Sequence, residues 1–321
     1  MKWLKNHHRV AFRVAEAKRR AAEPRPARLA VSIGCPSGVG PEVSVAAAAQ
    51  SRARVLLVGD LGALKAAARV REVDPRRLAR VEDPREAFDS ADEEAIFVYE
   101  PPGIALGAAD RIPGRPSRAA GAAQLAWIDA ATDLVTTGVA DALVTGPVSK
   151  DAIARSGAKG ARAFRGHTEH LAERLDAPEV TMAFWTDRLT TSLVTTHLAL
   201  ADVPAAITPD EVARAVYWTG RFVAQLGARG RLAVAALNPH AGEGGLIGTE
   251  EQRAIEPGIV RARKRLERAG VRGDARLGAR PARAETGGRP ARRPGGVARA
   301  YRRRARRLHR TRDVRGCIRP R

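Results

Sequence analysis

Two histidines carry the clearest hint of chemistry. His197 follows Leu-Val-Thr-Thr at 193–196 and His240 follows Ala-Ala-Leu-Asn-Pro at 235–239, so each closes a stretch of strand character. Neutral imidazoles on rigid strand ends suit Zn, Co or another divalent ion, and both should leave the same sheet edge. Glu243, within the run Ala-Gly-Glu-Gly-Gly that follows His240, is placed to orient a ligand by hydrogen bonding to it. A lone histidine is usually structural, but two at matching positions, one beside Asn-Pro and a glycine run, favour a site.

Three further loops are polar in a way that suits an anion. The segment 164–170 reads Phe-Arg-Gly-His-Thr-Glu-His. There His167 and Thr168 lie near the loop and suit hydrogen bonds to substrate oxygens. His170 reads as an exposed helix residue rather than a ligand. At 145–150, Thr-Gly-Pro-Val-Ser-Lys sets Thr145, a serine and the Lys150 ammonium beside a helix start, which suits phosphate or carboxylate; Lys150 equally reads as a solvated first-turn lysine. At 34–42, Gly38 and Gly40 permit close backbone approach to a phosphate or cofactor, while Pro41 also fits a plain turn into a helix.

These loops need a frame whose strand ends converge. In open parallel sheets, ligands bind outside the carboxyl ends of the strands. The body repeats a short apolar run, a small-residue loop and a helical stretch, which is the grammar of parallel βαβ units. The strand-length runs are 29–33, 55–58, 95–98, 142–144, 190–194 and 232–237. Between them, 121–140 has helical spacing, with Leu125, Ile128, Ala131 and Leu134 on one stripe. Thr249-Glu250-Glu251-Gln252 matches a capping box opening the next helix. The fold class is therefore α/β. The chain divides into a basic extension at 1–27, a first α/β domain at 28–148, a second at 149–272 carrying the metal and substrate loops, and an Arg-rich tail at 273–321.

A chain of 321 residues with 44% apolar content can bury a core for two such domains. No apolar run reaches membrane-spanning length and the start is broken by charge, so the expected location is cytoplasmic, with no membrane partner. Cys35 and Cys317 lie far apart without metal-ligand spacing. The net charge of +21 suggests nucleic acid until its distribution is read. From Asp274 onward 17 arginines face three acids and no lysine, which places two thirds of that charge in the tail. The body is only mildly basic, and the tail reads as low-complexity and disordered, with nucleic-acid binding through it the weaker alternative.

Taken in order, SIGCPSGVGPEV, LVTGPVSK, FRGHTEHLAERL, TTHLAL and LNPHAGEGGLIGTEE closely resemble the motifs of the 4-hydroxythreonine-4-phosphate dehydrogenases, over about 28 to 270. The resemblance implies two α/β domains flanking a cleft, similar to the isocitrate and isopropylmalate dehydrogenases, with the active site at a homodimer interface. It implies His167 and Thr168 as substrate contacts, and His197 and His240 as two of three ligands to a Zn, Co or Mg ion. It also implies NAD or NADP bound without a GxGxxG fingerprint. The family reaction would oxidise the secondary alcohol of 4-phosphooxy-L-threonine and release CO2 to leave 3-amino-2-oxopropyl phosphate, on the way to pyridoxal phosphate. The metal would act as a Lewis acid on the alcohol oxygen.

The chain departs from that pattern twice. Cys35 stands where the family pattern has Asp or Glu, which removes a carboxylate and points to a paralogue acting on a related phosphorylated hydroxy acid. The YHDQG-type motif with the third metal histidine, and the strands after it, are not recognisable, so the C-terminal part reads as incomplete. His309 has none of that motif around it. A switch to Arg, Ala, Gly and Pro without lysine is what out-of-frame reading of a GC-rich gene produces, and it predicts a frameshift near 271–274. The expected consequence is a truncated relative with poor solubility and little activity.

Overall fold

A computed structural model describes residues 25–186, 188–227, 231–271 and 274–278. The expectations for the N-terminal extension up to residue 24 and for the tail beyond Gly278 lie outside the described residues. The chain divides into two compact units between Met182 and Ala183, later than the 148/149 boundary read from the sequence. The reason is local: the segment after Thr145 packs back onto the first unit rather than opening a second.

The first unit is a five-stranded parallel sheet. Its strands are β1 (Arg28–Ser32), β2 (Arg54–Val58), β3 (Leu78–Val81), β4 (Ile96–Tyr99) and β5 (Ala142–Thr145), in the order β3-β4-β2-β1-β5. The central strands read as near-continuous apolar runs because helices cover both faces. Leu56, Leu57 and Val58 are completely buried. Helix α1 (Gly40–Gln50) follows β1, and α2 (Leu61–Val70) follows β2, with the Asp60 carboxylate accepting the Ala63 N–H at 2.6 Å as its cap.

Helix α3 (Arg118–Thr136) is the keel of this unit. The stripe of Leu125, Ile128, Ala131 and Leu134 is buried as expected. Its sides have different duties: Ala123, Trp127 and Ala131 pack into the sheet's core, while Leu125 and Ile128 pack with Ile153, Ala161 and Phe164. That second cluster seats α4 (Lys150–Arg155) and α5 (His167–Arg174) on the first unit.

The second unit departs from the expected uniform parallel pattern. Strands β6 (Ala183–Trp185) and β7 (Thr190–Ser192) form an antiparallel hairpin. Its turn closes through the Thr186 N–H donating to the Leu189 carbonyl at 2.9 Å, and the 190–194 run stops short at Ser192 because its three-residue partner begins opposite it at Ala183. Helix α6 (Pro209–Gln225) follows, then β8 (Arg231–Ala235), α7 (Glu256–Arg268) and β9 (Asp274–Gly278). Strand β9 pairs parallel with β8, from Arg231 against Asp274 to Ala235 against Gly278. Five residues assigned to the structureless tail are thus a strand, because pairing with β8 overrides their weak strand character. The core here is small: Val212, Ala213, Val216, Ile255, Ile259 and Ala262 are its buried members. Outside it Phe184, Trp185, Leu200 and Leu246 are 53%, 59%, 86% and 86% exposed. Among the described residues no helix is long and apolar enough to cross a membrane.

Candidate functional site

In the first sheet the chain passes from β1 to β2, out to the edge at β3 and back to β4 between them, then crosses to β1's other side with β5. The loops leaving β1 and β5 therefore part at the topological switch point, where open α/β sheets bind ligands. These are the 34–42 and 145–150 loops singled out above. They are joined backbone to backbone: the Cys35 N–H donates to the Pro147 carbonyl at 2.8 Å and the Gly146 N–H to the Ser32 carbonyl at 2.7 Å. Gly40 is demanded by space, since a Cβ there would fall 2.2 Å from the Ile33 carbonyl oxygen. Gly38 is exposed in the turn, and a Cβ there would meet Cys35 alone, its Cβ at 3.4 Å and its carbonyl oxygen at 3.6 Å. Cys35 itself is buried, and that burial raises its thiol pKa against the N–H donations of Ser37 and Gly38.

Thr145 ends β5 half-buried, and Lys150 begins α4 exposed. Ser149 spends its hydroxyl on the cap, accepting from the Ala152 N–H, while its own N–H donates to Gln124 Oε1 at 2.7 Å. Gln124 is 1% exposed and its amide also donates to Ala120. It fixes the start of α4, a role its position inside an apolar helical stripe concealed.

His167 opens α5, and its Nε2 is buried without a hydrogen-bond partner. Lys150 acts on it electrostatically, and at the preceding Gly166 a Cβ would lie 3.5 Å from Lys150 Nζ and 3.0 Å from Glu169 Oε2. Burial first, then the charges of His170 and Lys150, push the imidazole pKa below 6.5, so at neutral pH it is uncharged. An orphaned imidazole nitrogen within the field of an ammonium is unfinished hydrogen bonding that an anionic oxygen would complete. A stability consequence follows with a definite sign. The unfolded imidazole holds a proton that the folded one sheds, so His167 lowers stability as pH falls below 6.5 and stops doing so below its folded pKa. Urea unfolding of His167→Gln at pH 7 and pH 5 should show a smaller acid-side loss than the parent.

His170 corrects its sequence reading. Its side chain is 18% exposed, and Nε2 sits 2.7 Å from Asp129 Oδ1 on α3. Thr168 occupies the second position of α5, half-buried.

His197 and His240 do not leave one sheet edge. His197 lies beyond β7 in the antiparallel hairpin and His240 beyond β8 in a separate sheet, because the hairpin turn diverts the first run. Both are exposed and both have left-handed backbone, with φ of 56° and 51°. For His240 this begins a run through Ala241, Gly242, Glu243 and Gly244, all at positive φ. Left-handed non-glycine residues cost about 1–2 kcal/mol each and gather at functional sites. Ala241→Gly should therefore stabilise the fold by about 0.5–1 kcal/mol after glycine's backbone entropy is counted, read by thermal denaturation.

The strain is held by residues that sequence reasoning assigned elsewhere. Glu251 is 2% exposed; its carboxylate accepts from the Leu237 N–H at 2.9 Å, the Asn238 N–H at 2.8 Å and Asn238 Nδ2 at 2.9 Å. Asn238 Nδ2 also donates to Glu250 Oε2 at 2.8 Å. The expected capping box does not form: Glu250 is the N-cap with helical backbone, a π-turn over Glu251–Ile255 leads into α7, and no side chain caps it. The pair Glu250 and Glu251 anchors the His240 loop instead, while Glu243 is exposed. Among the described residues no group of three His, Cys, Asp or Glu lies together to hold a metal. Two imidazoles fit a divalent ion in chemistry but are one donor short of the expected set, so no reaction step is derived through a metal.

The profile of the family described as pyridoxal phosphate biosynthetic protein PdxA matches residues 51–275. The chain belongs to the PdxA family. A 4-hydroxythreonine-4-phosphate dehydrogenase from Trichlorobacter lovleyi is 41% identical over 245 residues, covering 74% of this chain and 70% of the relative. The solved structure described as a putative 4-hydroxythreonine-4-phosphate dehydrogenase from Salmonella typhimurium superposes with a TM-score of 0.65 at 30% identity, covering 75% of this chain and 73% of that one. A terephthalate 1,2-cis-dihydrodioldehydrogenase from Burkholderia xenovorans also matches, with a TM-score of 0.53 at 29% identity over 78% and 73% of the two chains. PdxA proteins are oxidoreductases, and the α/β architecture expected from the motifs is the one found.

Proposed function

We propose that this chain is built to bind 4-phosphooxy-L-threonine for NAD(P)-dependent oxidation and decarboxylation to 3-amino-2-oxopropyl phosphate, in pyridoxal phosphate synthesis. The observation that carries the reading is the unpartnered Nε2 of His167 within the field of Lys150, in a chain that matches the PdxA profile. Lys150 supplies positive charge for the phosphate, with Thr145 and the backbone around Gly38 and Gly40 lining the switch-point loops. The neutral His167 imidazole and the Thr168 hydroxyl hydrogen-bond the substrate's oxygens and orient its alcohol. NAD or NADP takes the hydride. His197 and His240 are the proposed ligands for a Zn, Co or Mg ion, with Glu243 as a nearby carboxylate. A second copy of the chain, covering the exposed Phe184 and Trp185 hairpin and completing the active site, is the proposed partner, in the cytoplasm.

Calorimetric titration with 4-phosphooxy-L-threonine tests this. The parent chain should bind, and His167→Ala should weaken binding about tenfold or more, the worth of a hydrogen bond to a charged group. Absence of binding by the folded parent would overturn the reading. Buried Cys35, in place of a carboxylate, favours a second reading, a paralogue for a related phosphorylated hydroxy acid. Tighter binding of erythronate or threonate phosphate than of phosphooxy-threonine would select it.

A further inference from the structure

Helix α5 presents His167 and Thr168 in its first turn yet buries none of its own residues, and its N-cap Gly166 offers no side-chain bond. Eight residues do not hold a helix in water by themselves. Leu171 leans on the Ile153 and Phe164 cluster, and the Phe164 ring lies edge-on to His167 at 6.0 Å and 5.5 Å from His170. The further ties among the described residues are two side-chain rungs to α3. His170 Nε2 meets Asp129 Oδ1 at 2.7 Å, and Arg174 Nη2 meets Asp133 Oδ1 at 2.6 Å, with Arg174 Nη1 3.6 Å from Asp129. Each helix contributes residues four apart, so the rungs stack one turn above the other. The inner rung is the drier, with His170 18% and Asp129 32% exposed, against 60% for Asp133.

We infer that the Asp129 and His170 rung, backed by Asp133 and Arg174, sets the rotation of α5 and so holds His167 within the field of Lys150. Asp129 and His170 are thus positioning residues for the substrate loop. The inference rests on the reading of His167 and Thr168 as substrate contacts. An ionised carboxylate only accepts, so His170 donates from Nε2 and its tautomer is fixed by α3. His170 stands one turn from His167, so any roll of α5 that broke the rung would carry the orphaned Nε2 away from the ammonium. The base is rigid, because α3 is buried against two clusters at once.

The test uses the full chain and 4-phosphooxy-L-threonine. Asp129→Ala and His170→Leu should each weaken binding about tenfold, while His170→Gln, which keeps a donor, should stay within about twofold of the parent. In a His167→Ala background the Asp129→Ala loss should vanish, which a general loss of stability would not produce. Full multiplicative losses in the double variant, or parent-like binding by both rung variants, would overturn the inference. Amide exchange separates it from the substrate reading. Asp129→Ala should speed exchange at His170 and Leu171 about tenfold with α3 unchanged, whether or not ligand binds. If the parent fails to bind but exchange responds, the substrate assignment falls and the strap stands as a helix tether only; unchanged exchange overturns the strap itself.

Discussion

Glu251→Ala should destabilise the second unit by about 3 kcal/mol and release the His240 loop. Glu251 accepts three hydrogen bonds in a place that water does not reach, so its removal strands donors that each cost about 1–3 kcal/mol when unsatisfied, with partial relief as the loop relaxes. The released segment holds five successive left-handed residues and would relax toward ordinary turn geometry. Urea unfolding and amide exchange at Leu237 and Asn238 measure this. The pH dependence has a defined sign. Burial pushes the Glu251 carboxyl up, but donation from the Asn238 side chain and from backbone N–H groups outweighs it and holds the pKa below 4.5. The stabilisation is therefore complete above 4.5 and is lost as pH falls through the folded pKa. Glu251→Gln should flatten that acid limb.

The second large effect concerns the metal. Structural zinc sites are worth about 10–16 kcal/mol over four ligands, so each missing ligand costs roughly 3–4 kcal/mol, or about 10² to 10³ in affinity. The purified chain should bind Zn or Co more weakly by that factor than a site with the full set of ligands and form little NADH from 4-phosphooxy-threonine. Competition titration against a chelating dye reads the first, and absorbance at the nicotinamide band reads the second. Robust metal-dependent NADH formation would refute the shortfall. The family match runs to residue 275, and the Arg-rich stretch follows it. Were the Arg-rich stretch the product of a shifted frame, as we propose, the frame-corrected product should recover both properties; a coding sequence with no YHDQG-like stretch in either alternative frame would overturn that proposal.

The central strands of the first sheet were legible because both their faces are buried and leave uninterrupted apolar runs. Strand β3 was not, since Arg80 breaks its pattern at an exposed edge. The loops at the switch point could be read from Gly40, Thr145 and Lys150, whose types suit anions. The parts that hold those loops were hidden. Gln124 lies within an apolar stripe, Asp129 looks like a solvated helix charge, and Glu251 sits in a local motif that promises a cap. Each acts through a partner 13 or more residues away, and no local pattern encodes that distance. His170 was misread for the same reason.

The placement of tryptophans gives each unit its own optical reporter. Trp127 is 1% exposed within the first unit's core, whereas Trp185 and Trp218 of the second are 59% and 38% exposed. With Trp3 replaced by phenylalanine, iodide should quench the red-emitting pair while leaving Trp127 dark to it. Heating would then show two emission shifts, a small one from the already solvated second unit and a large one when the sheet around Trp127 opens, so that the cooperativity of the two halves can be read from a single cuvette.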